Sequence, residues 1–249
     1  MPPRSPPRSP PTHFLCIPLA GAQLARSLSS FRADVTSVTS FGLPEDAVRP
    51  LGTLHLTLGV MALKGDSVDR AVELLRGLRL GDMLREARAA CSAPRPLGDG
   101  EDGVVLPVSG CRGGPGPSKL AVSIRGLRSM QPAAKAAVLY AAPKDAEGIL
   151  YDFCHRLRKP FRDSGLMVDE GRPLLLHATL FNTIYARSKG RSRGKERLTV
   201  DARQVLSRYE DFVWAEDLPL THVAICRMGA KRIEGTDDAA YEVEAEIDL

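Results

Sequence analysis

Five histidines are spread along the 249 residues, and two of them lie in matching surroundings, Leu54-His55-Leu56-Thr57-Leu58 and Leu176-His177-Ala178-Thr179-Leu180. Side chains on a strand alternate between its faces, so His55 and Thr57 share one face while Leu54, Leu56 and Leu58 share the other. The second segment repeats this, with His177, Thr179 and Phe181 opposite Leu176, Ala178 and Leu180. A lone strand histidine is usually a structural donor. Two such segments, 177 − 55 = 122 positions apart and each in its own half of the chain, call for a joint explanation. Cleaving a phosphodiester requires one group to deprotonate the attacking oxygen and another to protonate the leaving oxygen, and imidazole, with an unperturbed pKa of ~6.5, suits both roles. Threonine hydroxyls two residues on can donate to the non-bridging phosphate oxygens. His55 and His177 are thus the candidate catalytic pair, and Thr57 and Thr179 the candidate phosphate ligands. No metal-ligand set has recognisable spacing, so neither metal nor cofactor is expected.

Three further features bear on a nucleic-acid ligand. Phe181 shares the His177 face and is a candidate for stacking on a base, with Tyr185 as a second. The run from Arg187 to Arg197 carries six basic residues against one acidic. Its Arg187, Lys189, Arg191 and Arg193 are candidates for contacting the backbone of a single-stranded RNA without reading its sequence. His13 and His222 lie in apolar strand patterns that suit structural roles, and His155 falls off the apolar stripe of its helix, toward solvent.

Elements must position these groups. His13 to Leu19 reads as a strand, and Leu24, Leu28 and Phe31 make 21–35 a helix. Leu51 to Leu63 is the next strand, followed by a helix from Asp66 whose apolar positions run to Leu78. Residues 92–118 are Gly/Pro-rich loops around a short strand at 104–108. Lys119 to Leu127 and Ala136 to Ala141 read as strands. Ile149, Leu150, Phe153, Leu157 and Phe161 trace a helix that Pro160 should kink or end before Gly165. Leu174 to Thr183 is a strand, 201–214 a helix, and 219–228 and 240–248 are strands. The pattern is that of an α+β domain with antiparallel-type sheets and helices outside.

Composition sets outer bounds. With 43% hydrophobic residues the chain can bury a large core. A formal charge of +4 and a pI near 8.9 favour a phosphate-bearing ligand but fall short of a duplex-binding domain. Cys16, Cys91, Cys111, Cys154 and Cys226 form no C-x-x-C pair and are read as reduced thiols of an intracellular protein. By composition, residues 1–11 are expected to be a disordered Pro/Arg/Ser tail and 12–249 the folded domain. The tail has no apolar stretch to act as a secretory signal, and no apolar run reaches the ~20 residues of a membrane helix. A nuclear or cytoplasmic location without membrane association is expected.

The paired motifs, together with Thr12-His13-Phe14-Leu15, Val138-Leu139-Tyr140-Ala141, Ser164-Gly165-Leu166 and Leu176–Thr183, make the chain resemble the two-histidine (2H) phosphoesterase superfamily. The resembling branch holds the phosphoesterase-like domain of A-kinase anchoring proteins and of activating signal cointegrator complex subunit 1. The resemblance covers residues 12 to 249. It implies a bilobal, pseudo-twofold fold with two sheets lining a groove, and a hydrolase that handles nucleotides or single-stranded RNA. Hydrolysis of an RNA 2′ phosphodiester, either a 2′,3′-cyclic phosphate or a 2′,5′ linkage, is the leading expectation. A non-catalytic nucleotide- or RNA-binding subunit of a transcription-coactivator or DNA-repair complex is the alternative. Nothing in residues 1–11 forms the RNA-binding KH domain of the cointegrator subunit. The last residues, Tyr241 to Leu249, read as a strand where the anchoring proteins carry an amphipathic helix, so kinase anchoring is not expected.

Overall fold

Two short β–α–β units organise the chain. In the computed structural model, which describes residues 10–92, 120–168, 171–186 and 198–249, the first unit is β1 (His13–Pro18), α1 (Ala22–Thr36) and β2 (His55–Met61). Helices α2 (Asp66–Arg76) and α3 (Leu80–Ser92) follow, then β3 (Ala121–Ser129). The second unit is β4 (Val138–Lys144), α4 (Ile149–Asp163) and β5 (Ala178–Asn182). The chain continues through α5 (Arg203–Arg208), β6 (Val213–Pro219), β7 (His222–Arg227), β8 (Lys231–Arg232), β9 (Ala239–Ala240) and β10 (Val243–Asp248).

The strands form two four-stranded antiparallel sheets, in the orders β10-β7-β1-β2 and β5-β4-β3-β6. A small β8–β9 ribbon stands apart. Each motif strand is therefore an edge strand, β2 of the first sheet and β5 of the second, and these two edges approach one another. The C-terminal strands stitch the halves together, because β6 joins the second sheet and β7 the first. This is the antiparallel α+β architecture expected from the sequence.

Apolar spacing explains the helices. Leu24, Leu28, Phe31 and Val35 of α1 are buried, as are Leu150, Phe153, Leu157 and Phe161 of α4. These faces join the inward leucines of both sheets in one continuous core. Trp214 lies at its centre, fully buried, with its indole N–H donating to the Gly126 carbonyl at 2.8 Å. Gly126 has a positive φ of 68°, and a Cβ there would come within 2.6 Å of the Glu210 carbonyl oxygen, so only glycine brings this carbonyl to the indole.

The elements differ from the sequence reading at five places. The helix after β2 stops at Arg76 and a separate α3 follows, because Gly77 ends the first. The strand expected from Leu51 starts at His55, preceded by a single 3-10 turn over Leu51–Thr53. Pro160 does not end α4, which runs on to Asp163. In the last turn a proline forfeits a single backbone hydrogen bond, and Ser164 N–H still donates to its carbonyl at 3.0 Å. The strand expected over 174–183 is confined to Ala178–Asn182, leaving His177 just ahead of it. The helix expected over 201–214 ends at Arg208, and Trp214 belongs to β6. The tail over residues 1–9, the strand at 104–108 and the basic run 187–197 lie outside the described residues.

Candidate active site

The site is built where the two edge strands meet. On β2, His55 and Thr57 are partly exposed between the buried Leu54, Leu56 and Leu58. In the second half, His177 and Thr179 are partly exposed between the buried Leu176, Ala178 and Leu180. Period-two alternation thus places the polar pair of each motif outward, as the sequence implies.

After the threonine, both strands depart from alternation in the same way. Leu15 pairs with Gly59 and Cys16 with Thr57, so Leu58 is the extra residue of a bulge. Leu139 pairs with Phe181 and Tyr140 with Thr179, so Leu180 is the corresponding extra residue. The bulge turns the next side chain inward. Phe181 is accordingly fully buried in the core and has no ring face to offer a base, which corrects the stacking role expected for it. Gly59 holds the equivalent place in the first motif, where a Cβ would lie 2.3 Å from the Met167 sulfur.

The two imidazoles are anchored alike. His55 Nδ1 is 2.8 Å from the Thr53 carbonyl oxygen, and His177 Nδ1 is 2.9 Å from that of Leu175. A carbonyl can only accept, so each Nδ1 carries a proton and each neutral Nε2 presents a lone pair. Burial pushes His55 down to about 4 against the opposing bond to Thr53, with the charges of His177 and Arg49 adding to the depression. Burial also lowers His177, again against its carbonyl bond, and Arg172 contributes. The charge of one motif histidine is therefore felt at the other. Burial thus favours the neutral form of both rings, and an anion seated between them would raise the proton affinity of each.

Aromatic rings and arginines frame the pair. The His55 ring lies 4.8 Å from that of Phe14 and 5.4 Å from that of Tyr241, and His177 lies 5.4 Å from Tyr140. Arg49, almost fully buried, places its guanidinium 3.8 Å from the centroid of the Tyr185 ring and donates to the Tyr241 hydroxyl at 3.4 Å. Tyr185 is 44% exposed, so this arginine-backed ring is partly open to solvent. On the other side, Thr57 of the first motif and His177 of the second line a single cleft together with Met130, Arg158 and Arg172.

Other candidates stand apart. His13 is buried and bonded to Thr12 Oγ1 at 2.8 Å and Glu244 at 3.3 Å, as a structural histidine would be. His222 bonds Thr221 Oγ1 at 2.8 Å, and His155 is exposed on α4. Arg187, Lys189, Arg191 and Arg193 lie outside the described residues. Among the described residues no group of three or more His, Cys, Asp or Glu is placed to hold a metal ion. Sequence reasoning missed Arg49, Tyr140, Arg158 and Tyr241. Arg158 had a weak signal, since it interrupts the Leu150–Cys154 stripe of α4 one helical turn on, at a position otherwise suited to the core.

A family model described as the AKAP7 2′5′ RNA ligase-like domain matches residues 11–249. An uncharacterized protein of Schizosaccharomyces pombe is 30% identical over 139 residues, a stretch that makes up 54% of this chain and 60% of the yeast protein. Among solved structures, that of a phosphoesterase is 16% identical with a TM-score of 0.50, the match covering 97% of this chain and 99% of that one. E. coli LigT complexed with 3′-AMP is 16% identical over the same shares of the two chains, with a TM-score of 0.49. At such identity the likeness to solved structures concerns the fold.

Proposed function

The chain belongs to the family of the AKAP7 2′5′ RNA ligase-like domain, within the 2H phosphoesterase superfamily, and on that basis we propose that it is a phosphodiesterase that cleaves RNA-type 2′ phosphodiesters without a metal ion. The substrate class is a 2′,3′-cyclic phosphate or a 2′,5′ linkage. Family membership supports a phosphodiesterase-type activity. The observation that carries the finer reading is the shared cleft, in which Thr57 of one motif and His177 of the other line the same walls.

A phosphate bound there would receive hydrogen bonds from Thr57 and Thr179. One Nε2 lone pair would take the proton from the attacking oxygen. The opposite imidazole, protonated as the anion binds, would deliver a proton from its Nε2 to the departing oxygen. For a 2′,3′-cyclic phosphate, water attacks phosphorus, the bond to one ribose oxygen breaks, and that oxygen leaves as a hydroxyl. The Nδ1 bonds to Thr53 and Leu175 hold both rings in the tautomer this requires. Tyr185, backed by Arg49, offers a stacking face for the base.

Purified protein incubated with 2′,3′-cyclic nucleotides and with a 2′,5′-linked oligoadenylate, in the presence of chelator, should yield the monophosphate and the shortened oligomer respectively. Binding of either without turnover would instead favour a nucleotide-binding subunit.

A further inference from the structure

We propose that Arg158 forms a second phosphate site, which takes the phosphate adjacent to the one being cleaved, and that the nucleotide chain continues from it along the outer face of α4. The substrate is then an oligonucleotide rather than a mononucleotide. The proposal rests on the phosphodiesterase reading of the neighbouring cleft.

Arg158 is 7% exposed, yet its buried Nε has no hydrogen-bond partner among the described residues. A buried donor left without a partner is costly, and the same guanidinium carries further N–H donors for a group that enters the cleft it lines. The ion pairs of α4 among the described residues use Arg156, with Glu86 and Asp152, and Lys159, with Asp163. The Arg158 side chain lines the cleft that holds Thr57 and His177, and it also lines a second cavity with His155, Lys159, Arg162, Met167 and the single carboxylate Asp163, which pairs with Lys159. It is therefore the junction between the candidate catalytic groups and a basic surface.

That surface is regular. Tyr151, His155, Arg158 and Arg162 recur at helical spacing along one side of α4, with Lys159 beside them. The Tyr151 and His155 rings are stacked with centroids 6.4 Å apart, and Tyr151 is 42% exposed. Cations interleaved with exposed rings suit a single strand, whose phosphates meet the charges while its bases stack. The scissile phosphate is provided for by two threonines and two imidazoles, so the planar, multiply donating guanidinium shared by the two cavities is available to the next one along.

Two substrates separate the possibilities, 2′,3′-cyclic AMP with one phosphate and a short oligoadenylate ending in a 2′,3′-cyclic phosphate. Arg158→Gln should raise KM for the oligonucleotide roughly 10- to 100-fold, the scale of a lost charge-assisted bond, and by a clearly larger factor than it raises KM for cyclic AMP. Arg158→Lys, which keeps the charge without the fork, should fall between. Lys159→Gln, on the exposed helix surface, should weaken binding of a dye-labelled oligoadenylate in fluorescence anisotropy and lower its salt slope by about 0.7. Equal losses on both substrates would place Arg158 at the scissile phosphate and overturn the proposal, as would unchanged oligonucleotide KM. If circular dichroism shows that Arg158→Gln does not fold, Arg158→Lys and Lys159→Gln decide, and unaltered oligonucleotide binding in both overturns it. A wild-type protein that cleaves neither substrate but loses oligonucleotide binding on Arg158 substitution would sink the catalytic reading and leave this site standing.

Discussion

Because each imidazole is tied through Nδ1 to the carbonyl two residues upstream, neither can swap its nitrogens without breaking that bond, and in the proposed mechanism the two Nε2 atoms are the working atoms. A base and an acid that serve one displacement do not contribute independently. His55→Ala and His177→Ala should each reduce turnover ~10²–10⁴-fold, while the double mutant falls by far less than the product of the two. Unchanged activity in the double mutant would remove the pair from the mechanism. Burial of His55 also makes a stability prediction. Its folded pKa of about 4 lies below the ordinary 6.5, so between these values the unfolded chain binds a proton that the folded one refuses, and stability falls as pH drops through that window. Between pH 8 and pH 5 the wild type should lose about 2 kcal/mol more than His55→Phe, in which this titration is absent. Urea unfolding of both proteins at the two pH values measures the difference, and parallel losses would show that His55 titrates normally.

At the scale of the strand, the sequence disclosed the polar face of each motif and concealed the bulge beyond it. His55, Thr57, His177 and Thr179 were legible because alternation acts locally, residue by residue. The inward turn of Phe181 was not, because the bulge at Leu180 exists only in the pairing of β5 with β4. Arg49 and Tyr241 were likewise hidden, since they reach the site from a loop and from the segment before β10, and Arg158 showed only as a break in the apolar stripe of α4. Helix faces were readable from their apolar spacing and the end of α2 from Gly77, whereas the shift of Trp214 into β6 depended on tertiary partners. Gly59 gives this scale its test. Gly59→Ala places a methyl 2.3 Å from the Met167 sulfur and should cost about 1–3 kcal/mol by overpacking the edge of β2. In a double-mutant cycle with Met167→Ala, which opens that space, the combined cost should be smaller than the sum of the two single costs. Strict additivity would show that the glycine is there for another reason.

For the molecule as a whole, the site exists only if the two sheets hold a fixed relation, and the core supplies that relation. Phe31 of α1, from the first β–α–β unit, packs edge-on against Trp214 of the second sheet at 5.1 Å, and Tyr209 closes on both rings. The halves therefore share one continuous core and should not unfold separately. Trp214 is the single tryptophan, so its fluorescence reports the second sheet, while far-UV circular dichroism reports all the secondary structure. In the wild type the two urea transitions should coincide. Leu15→Ala, a fully buried truncation on β1 of the first sheet, should cost about 2–5 kcal/mol and move both transitions together, even though Leu15 belongs to the other sheet from the reporter. A fluorescence midpoint that stays in place while the dichroism midpoint falls would mean that the lobes unfold independently. Their relative position would then be set by something other than the shared core, most plainly by a phosphate bridging His55 and His177, and adding nucleotide should bring the two transitions back together.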